Sequence, residues 1–398
     1  MVTCNIYAPR EDSFLLEGHV RKLAYGSVLD MGTGSGIQAI AAAENEKVSS
    51  VIAVDVQKGV IDYCKKNIKN RKIRFLLSDL FSFLKGKYKN KKFDTIIFNP
   101  PYLPFDLKVK DITIDGGKKG YEIIEKFLND AGSKLKENGM MILLFSSLTN
   151  KEKVDELIEK NLFEKEALSG IHIFFEEIYV YRIFKSILLT EIEKKGIKDA
   201  RYFSKGKRGL VYTGRIGKRI LAIKTKNPKS KSPESISNEA EWLKLLNKLS
   251  IGPKLFCSSE NFFSYDFVEG MFIEEYMKKT GRKKIISALS KIIRQLHKMD
   301  IAGINKEEMH RPYKHIIIAK KENPVMIDFE RCRRSIDSKN VTQFCHFLSN
   351  SRITEMLKNK KINIDSMMLR ELAKIYKRKR NTENIKKIIE LLNGKLRD

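Results

Sequence analysis

Through the first hundred residues, short apolar runs recur and each is closed by a polar residue. Val28-Leu29 ends at Asp30, Val51 to Val54 at Asp55, Phe75 to Leu77 at Ser78-Asp79, and Phe93 to Phe98 at Asn99. Apolar, β-branched runs bounded by turn residues predict buried parallel strands, and the stretches between them predict helices, so the chain opens in a βαβ rhythm. Sheets of this kind keep their ligands at the carboxyl ends of the strands, which brings the four closing residues to one edge. The fourth run continues into Asn99-Pro100-Pro101-Tyr102. Each proline fixes its own φ and pushes the residue before it out of the helical region, leaving the Asn99 side chain and the Pro100 carbonyl as stiff acceptors beside the Tyr102 ring. A planar NH2 group, of a carboxamide or a nucleobase, could donate both protons to them and stack on the ring.

The first run leads into Asp30-Met31-Gly32-Thr33-Gly34-Ser35-Gly36 and an Ala-rich helix. Three alternate glycines after an acid permit a tight turn and close backbone approach to a ligand. Their spacing is not the dinucleotide G-x-G-x-x-G; it resembles the Asp-x-Gly-x-Gly-x-Gly turn of S-adenosylmethionine (SAM) methyltransferases. Asp55 stands about twenty residues further on, placed to accept from both hydroxyls of a ribose. Asp79 is placed to accept from an adenine amine, although a strand-terminal Asp serves equally well as a helix cap. Ser13, in Pro9-Arg10-Glu11-Asp12-Ser13, is a candidate cap for a helix beginning at Phe14.

Taken together, Tyr7 to Asp12, the glycine turn, Asp55, Asp79, Asn99 to Tyr102, Asp115-Gly116-Gly117 and Phe145 to Leu148 resemble the HemK class of SAM-dependent glutamine methyltransferases, in particular its archaeal and eukaryotic release-factor branch. The resemblance implies a Rossmann-like seven-stranded sheet over residues 1–185, closed by an antiparallel hairpin drawn from Met141 to Phe145, Ile171 to Phe175 and Ile178 to Ile183. SAM would be held by Asp30, Gly32, Gly34, Gly36, Asp55 and Asp79. Asn99, Pro100 and Tyr102 would hold the amide of a glutamine in the Gly-Gly-Gln loop of a class-one release factor, and relatives work with a small zinc-binding activator protein. Adenine-amine methyltransferases share the Asn-Pro-Pro-Tyr motif, so the rival reading is methylation of nucleic acid. Charge favours the protein amide: residues 1–185 hold 29 Lys/Arg against 25 Asp/Glu, too even a balance for a phosphate grip.

After Ser186 the pattern changes to a helix and then strands rich in glycine and basic residues. Arg201 to Tyr212 predicts a hairpin, and Arg219 to Lys224 a strand ending in lysine. The loop Asn227 to Ser237 precedes a helix containing Glu239, Tyr265 to Gly270 reads as a strand joining two lobes, and the Ile292, Ile293 and Leu296 spacing predicts a helix ending near His297. Val325-Met326-Ile327-Asp328-Phe329-Glu330 follows. These elements resemble the compact atypical kinases that include RIO kinases and the KEOPS-associated kinase, which implies an α+β, two-lobed kinase-like domain over 186–350. In it Lys224 would meet phosphates, Glu239 would hold Lys224, and Asp328 would bind a metal. The His-x-Asp catalytic loop is absent. Counting from Gly303 places Glu308 in the base position, and counting back from Ile316 places His315 at the second metal site, where an imidazole suits Mn2+ better than Mg2+. The implied ligand is ATP with Mg2+ or Mn2+, with serine/threonine kinase or ATPase turnover as one outcome and a nucleotide-binding pseudokinase in a translation-associated assembly factor as the other.

At 398 residues, 42% of them apolar, the chain calls for two globular domains. Most of its net charge of +28 falls in residues 186–398, which hold 48 Lys/Arg against 24 Asp/Glu and could contact RNA or the ribosome. Residues 351–398 read as a basic helical extension centred on Lys377-Arg378-Lys379-Arg380. The five cysteines form no Cys-x-x-Cys pair, which argues for free thiols. With no run of eighteen apolar residues and no signal pattern, a soluble, cytoplasmic protein away from membranes is expected.

Overall fold

The computed structural model describes residues 7–102, 117–173, 175–206, 209–227 and 236–395. The chain divides into two compact units, Met1–Tyr202 and Phe203–Asp398. The first contains α1 (Glu11–Leu23), β1 (Gly26–Met31), α2 (Ile37–Glu44), β2 (Val48–Asp55), α3 (Lys58–Asn67), β3 (Ile73–Leu77) and β4 (Phe93–Phe98). It continues with α4 (Glu122–Ala131), β5 (Leu135–Ser146), α5 (Lys151–Lys160), β6 (Phe163–Ile173), β7 (Glu176–Lys185) and α6 (Ile187–Lys194). Seven strands form one sheet in the order β3-β2-β1-β4-β5-β7-β6. The neighbours from β3 to β5 are parallel, while β7 runs antiparallel to β5 and β6, so the unit is a Rossmann-like sheet closed by a hairpin.

The chain winds outward from β1 to β3 and then crosses back to β4, so the order reverses between β1 and β4. Ligand crevices of α/β sheets lie at such a reversal. Register sharpens the point: Met31 pairs with Val54 on one side and Phe98 on the other, which lays the glycine turn, Asp55 and Asn99 side by side. The central strands are held by apolar burial, Leu29, Ile96 and Ile97 being wholly enclosed. α1 starts at Glu11, earlier than the Ser13 cap predicts, and Asp12 and Ser13 are buried inside its first turn.

A second sheet is built from β8 (Lys198–Lys205), β9 (Gly209–Ile216), β10 (Arg219–Lys226), β11 (Leu255–Ser258) and β12 (Phe262–Asp266) in the order β11-β12-β10-β9-β8, with α7 (Ile236–Lys248) between β10 and β11 in sequence. There follow β13 (Met271–Phe272), α8 (Ile273–Lys279), α9 (Arg282–Ile301), β14 (Ile304–Lys306), β15 (Ile316–Ala319), β16 (Asn323–Met326) and β17 (Cys332–Arg334). Four helices complete the unit: α10 (Asn340–Leu348), α11 (Ser351–Lys358), α12 (Ser366–Arg378) and α13 (Thr382–Asn393). One apolar core runs from Leu243 and Phe263 through Ile292 and Leu296 to Phe344, Leu369 and Ile388. α9 passes beyond His297 to Ile301, and the basic run at 377–380 marks a break between two helices and not the middle of one. The break follows from Asn381, whose side chain caps α13 by accepting the Asn384 N–H at 2.9 Å. Among the described residues no helix is long and apolar enough to cross a membrane.

Candidate functional site

The turn after β1 depends on backbone that only glycine adopts freely. Gly32 and Gly34 have φ of +68° and +51°, and a Cβ added at Gly34 would meet nothing nearer than Gly32 O at 4.0 Å, so the turn leaves open space above it. Gly36 serves another purpose: a Cβ there would come within 2.4 Å of Ile68 Cδ1, so it allows α2 and the end of α3 to approach. A cavity of about 590 Å³ opens over this edge of the sheet. Gly32, Gly34, Asp55 and Asp79 line one part of it, and Asn99, Pro100 and Tyr102 another. Asp30 and Gly36, expected among the ligands, do not line it. Asp30 is enclosed beneath the turn, where its carboxyl accepts the Thr33 hydroxyl at 2.6 Å, and burial pushes its pKa up to about 7.

Asp55 accepts the Gly34 N–H at 3.1 Å and the Gln57 N–H at 2.9 Å, and burial raises its pKa. The Val56 N–H also hydrogen-bonds to it, which lowers the pKa, and since a carboxylate has about four lone-pair positions, acceptor capacity remains for a hydroxyl donor. Asp79 is exposed and does cap the short 3-10 turn Leu80–Phe83. Asn99 donates from Nδ2 to Asp12 Oδ2 at 2.9 Å, and its Oδ1 is buried with no partner among the described residues. The Tyr102 carbonyl accepts the Thr149 hydroxyl at 3.1 Å, while burial, then Asp12 and Glu176, push its phenol well above the ordinary tyrosine range. Three further residues of the cavity had no role in the sequence reading: Tyr7, which donates to Asp12 Oδ1 at 3.2 Å, Asp12 itself, and Glu176, which accepts from the Ser146 hydroxyl. The only signal for the first two was their place in the Tyr7 to Asp12 segment. Asp115 and Gly116, part of the family resemblance, lie outside the described residues.

Residues 11–170 match the family model described as the methyltransferase small domain. A Methanocaldococcus jannaschii protein assigned by name to the protein N5-glutamine methyltransferases is 35% identical over 182 residues, covering 44% of this chain and 89% of the relative. The chain belongs to the protein glutamine methyltransferase family. Its methyltransferase half is a SAM-dependent domain. A release factor glutamine methyltransferase of Rhodopirellula baltica is 33% identical across 33% of this chain and 49% of its own length. A ribosomal protein uL3 glutamine methyltransferase of Bradyrhizobium diazoefficiens is 32% identical across 32% and 43%. The chain therefore spans about half the length of these two bacterial relatives. Among solved structures, the E. cuniculi Mtq2–Trm112 complex is 24% identical with a TM-score of 0.37, covering 46% of this chain and all of that one.

Beyond the methyltransferase half, the second unit gathers its own charged residues. Lys224 on β10 lies 2.6 Å from Glu239 Oε2 on α7 and 2.9 Å from Asp328 Oδ1 after β16. Burial works against the Lys224 ammonium, but Glu239 and Asp328 together hold its pKa above the ordinary lysine value. Asp328 is held down at about 2, burial being outweighed by Lys224 and Lys306. It has a left-handed φ of +62°, an uncommon conformation for a residue with a side chain. Two contacts fix it there: the Phe329 N–H donates to Glu239 Oε1 at 3.2 Å, and the Lys306 ammonium donates to the Asp328 carbonyl.

Lys306, at the end of β14, is the residue the sequence reading missed. A lysine in a loop reads as solvated; here the ammonium is completely enclosed, 3.1 Å from Glu308 Oε2 and over the Phe329 ring. Its backbone N–H donates to Asn340 Oδ1 at 2.8 Å, and Asn340 donates to Asp300 at 2.8 Å, so the loop is anchored from α10 and α9. Glu308 therefore faces Lys306, with Arg331 3.9 Å away. His315 Nδ1 is buried without a hydrogen-bond partner among the described residues, 3.7 Å from Asp328 Oδ2, and burial followed by Lys306 lowers its pKa. Among the described residues no three His, Cys, Asp or Glu side chains converge as a metal cluster.

Proposed function

We propose that the first unit methylates the side-chain amide nitrogen of a glutamine in a protein, and that the substrate is a class-one translation release factor. The observation that carries this reading is Asn99, whose Oδ1, without a partner among the described residues, stands beside Pro100 and Tyr102 at the mouth of the cavity that also holds the glycine turn, Asp55 and Asp79. Two acceptors there suit the two protons of a carboxamide NH2. SAM supplies a methyl group on positively charged sulphur, and the cavity suits a cation: Glu11, Asp12, Asp55, Asp79 and Glu176 line it against Arg10 and Lys126. Asp55 would accept from the ribose and Asp79 from the adenine amine, with Gly32 and Gly34 giving close backbone approach and Asp30 and Gly36 shaping the turn. The amide nitrogen forms its bond to the methyl carbon as the carbon–sulphur bond breaks, the electron pair of that bond stays on sulphur, and one N–H proton leaves to water. An amide lone pair is delocalised, so holding the acceptor in line contributes much of the rate.

Incubating the full chain with SAM and a release factor, with oligonucleotides in parallel, tests this by mass spectrometry. The expected product is a release factor with one added methyl group on a glutamine, formed without nucleic acid, and a loss of roughly 10²-fold or more in Asn99→Ala. Methyl groups on adenine and none on protein would establish the rival reading. A small zinc-binding activator belongs to the same proposal: β3 is an edge strand whose Leu77 is 55% exposed, a place where another chain can pair.

For the second unit we infer a kinase-like lobe that binds ATP with Mg2+ or Mn2+, taking 1–185, 186–350 and 351–398 as the functional divisions. The joined Lys224, Glu239 and Asp328 support it, as does the His315 Nδ1, buried without a hydrogen-bond partner among the described residues, which favours Mn2+. Glu308 is the candidate base for phosphate transfer; ATP binding without turnover would make the lobe a pseudokinase of a translation-associated factor. The basic charge of residues 186–398 fits contact with RNA or the ribosome, and the whole reading fits a cytoplasmic protein.

A further inference from the structure

We propose that Asp12 is a positioning residue for methyl transfer: by accepting from Asn99 Nδ2 it fixes which way the Asn99 amide faces, so that Oδ1 is presented to the acceptor nitrogen. This rests on the reading of Asn99 given above. An asparagine amide has two faces of opposite character, a carbonyl that accepts and an NH2 that donates, and rotation by half a turn exchanges them with little change of shape. Facing the wrong way, Asn99 would offer an NH2 to an incoming NH2, and the acceptor would be repelled. Something must break that near-symmetry.

Asp12 can, because an ionised carboxylate only accepts. Its Oδ2 takes the Asn99 Nδ2 at 2.9 Å, and its Oδ1 takes the Tyr7 hydroxyl at 3.2 Å and the Ser13 hydroxyl at 3.3 Å. Three donors, an amide NH2 and two hydroxyls, converge on a residue that is 5% exposed, so the carboxylate is itself held in place. The opposite end of the same amide, Asn99 Oδ1, is buried with no partner among the described residues. A buried acceptor left open costs stability unless a ligand fills it. The pairing thus has a satisfied end and an open end, and the open end is the one the glutamine amide needs. Asp12 lies 87 positions before Asn99 in the chain, on the first turn of α1, so the entry helix sets the orientation of the β4 end.

The test uses the full chain with Asp12→Asn, Asp12→Ala and Asp12→Glu. Steady-state methylation of the release factor should show kcat lower by at least about tenfold in Asp12→Asn, which can donate as well as accept and so no longer forces one orientation. Asp12→Glu, which still only accepts, should recover more activity than Asp12→Asn. Asp12→Glu keeps the carboxylate that Asp12 contributes to the cavity lining, so its SAM affinity by calorimetry should stay within about threefold of wild type. In the Asn99→Ala background Asp12→Ala should have no further effect on kcat, the signature of two residues acting as one. Independently of turnover, the Asn99 side-chain NH2 signal, recognised in 15N spectra by its absence in Asn99→Ala, should shift in Asp12→Ala and stay near its place in Asp12→Glu. If that shift is seen but no glutamine is methylated, the orientation stands and the substrate reading falls. An unmoved NH2 signal in Asp12→Ala, or an equal loss of kcat with and without Asn99, would overturn the inference.

Discussion

Asp30 and Asp328 are both acids near the carboxyl end of a strand, and their surroundings drive them in opposite directions. Asp30 is enclosed with the Thr33 hydroxyl and the Ala39 N–H as donors, and burial, reinforced by the Asp55 carboxylate, pushes its pKa up to about 7. Asp328 stands between Lys224 and Lys306 and is held down at about 2. The contrast extends to the whole of each site. Among the charged residues lining the cavity of the first unit, five carboxyls face two cations, which suits a ligand carrying positive charge, whereas the second unit sets two enclosed or nearly enclosed ammonium groups, Lys224 and Lys306, against three acids, Glu239, Asp328 and Glu308.

The largest effect that sharpens this contrast belongs to Asp30. The folded chain keeps the Asp30 proton up to about pH 7, while the unfolded chain releases it near the ordinary value of 3.8. Stability therefore falls as pH rises through that window, and above pH 7 the full loss, about 4 kcal/mol, is present. Asp30→Asn removes the ionisation and keeps the shape. In urea unfolding of the SAM-free protein, the stability advantage of Asp30→Asn over wild type should grow by roughly 3 kcal/mol between pH 5 and pH 8. An advantage that stays constant with pH would mean that the carboxyl is not held protonated by burial, and half of the comparison would fail.

The two sites were legible in the sequence to different degrees, for a physical reason. In the first unit the elements are local: strand, turn and strand end follow one another, and a parallel sheet brings Gly34, Asp55 and Asn99 to one edge whatever lies elsewhere. What escaped was the contact across the sheet edge, Asp12 with Asn99, because nothing in either segment names the other. Asp30 was legible as part of the motif but not as buried, since strand alternation alone does not say which face the turn covers. In the second unit Lys224 and Asp328 are 104 positions apart, and only a familiar order of elements suggested that they meet. Lys306 could not be found that way, because its role depends on the enclosure supplied by Phe329, Glu308 and the Asn340 anchor.

The second prediction concerns the charge that pairs the lysines. Asp328→Asn keeps the size of the side chain and removes the carboxylate that would hold the metal, so metal-dependent ATP binding should weaken by about 100-fold or more in calorimetry with Mg2+ or Mn2+. Wild type should bind poorly when the metal is chelated, and SAM binding in the first unit should be unchanged by the substitution. Wild-type ATP affinity in Asp328→Asn would make the lysine cluster a structural feature alone, and the second unit would then be better read as a basic surface for RNA.

The smallest effect is expected at Glu308, and its smallness is what makes it informative. Glu308 touches Lys306 at 3.1 Å and approaches Arg331 at 3.9 Å, whereas it makes no contact with Lys224 or Asp328 among the contacts of that cluster. Glu308→Gln keeps an acceptor toward Lys306, so ATP affinity should remain within about threefold of wild type, a change of roughly 0.6 kcal/mol. Proton acceptance from a hydroxyl needs the carboxylate, so any phosphate transfer by the wild-type lobe should be lost in the variant. Transfer that persists in Glu308→Gln would remove Glu308 as the base and turn attention to His310, which is exposed on the same loop with its Nδ1 2.9 Å from the Glu307 carbonyl. A fall in ATP affinity as large as that of Asp328→Asn would instead show that Glu308 sets the charge of the binding site through Lys306, and the two roles assigned to the cluster, holding the nucleotide and moving its phosphate, would have to be merged.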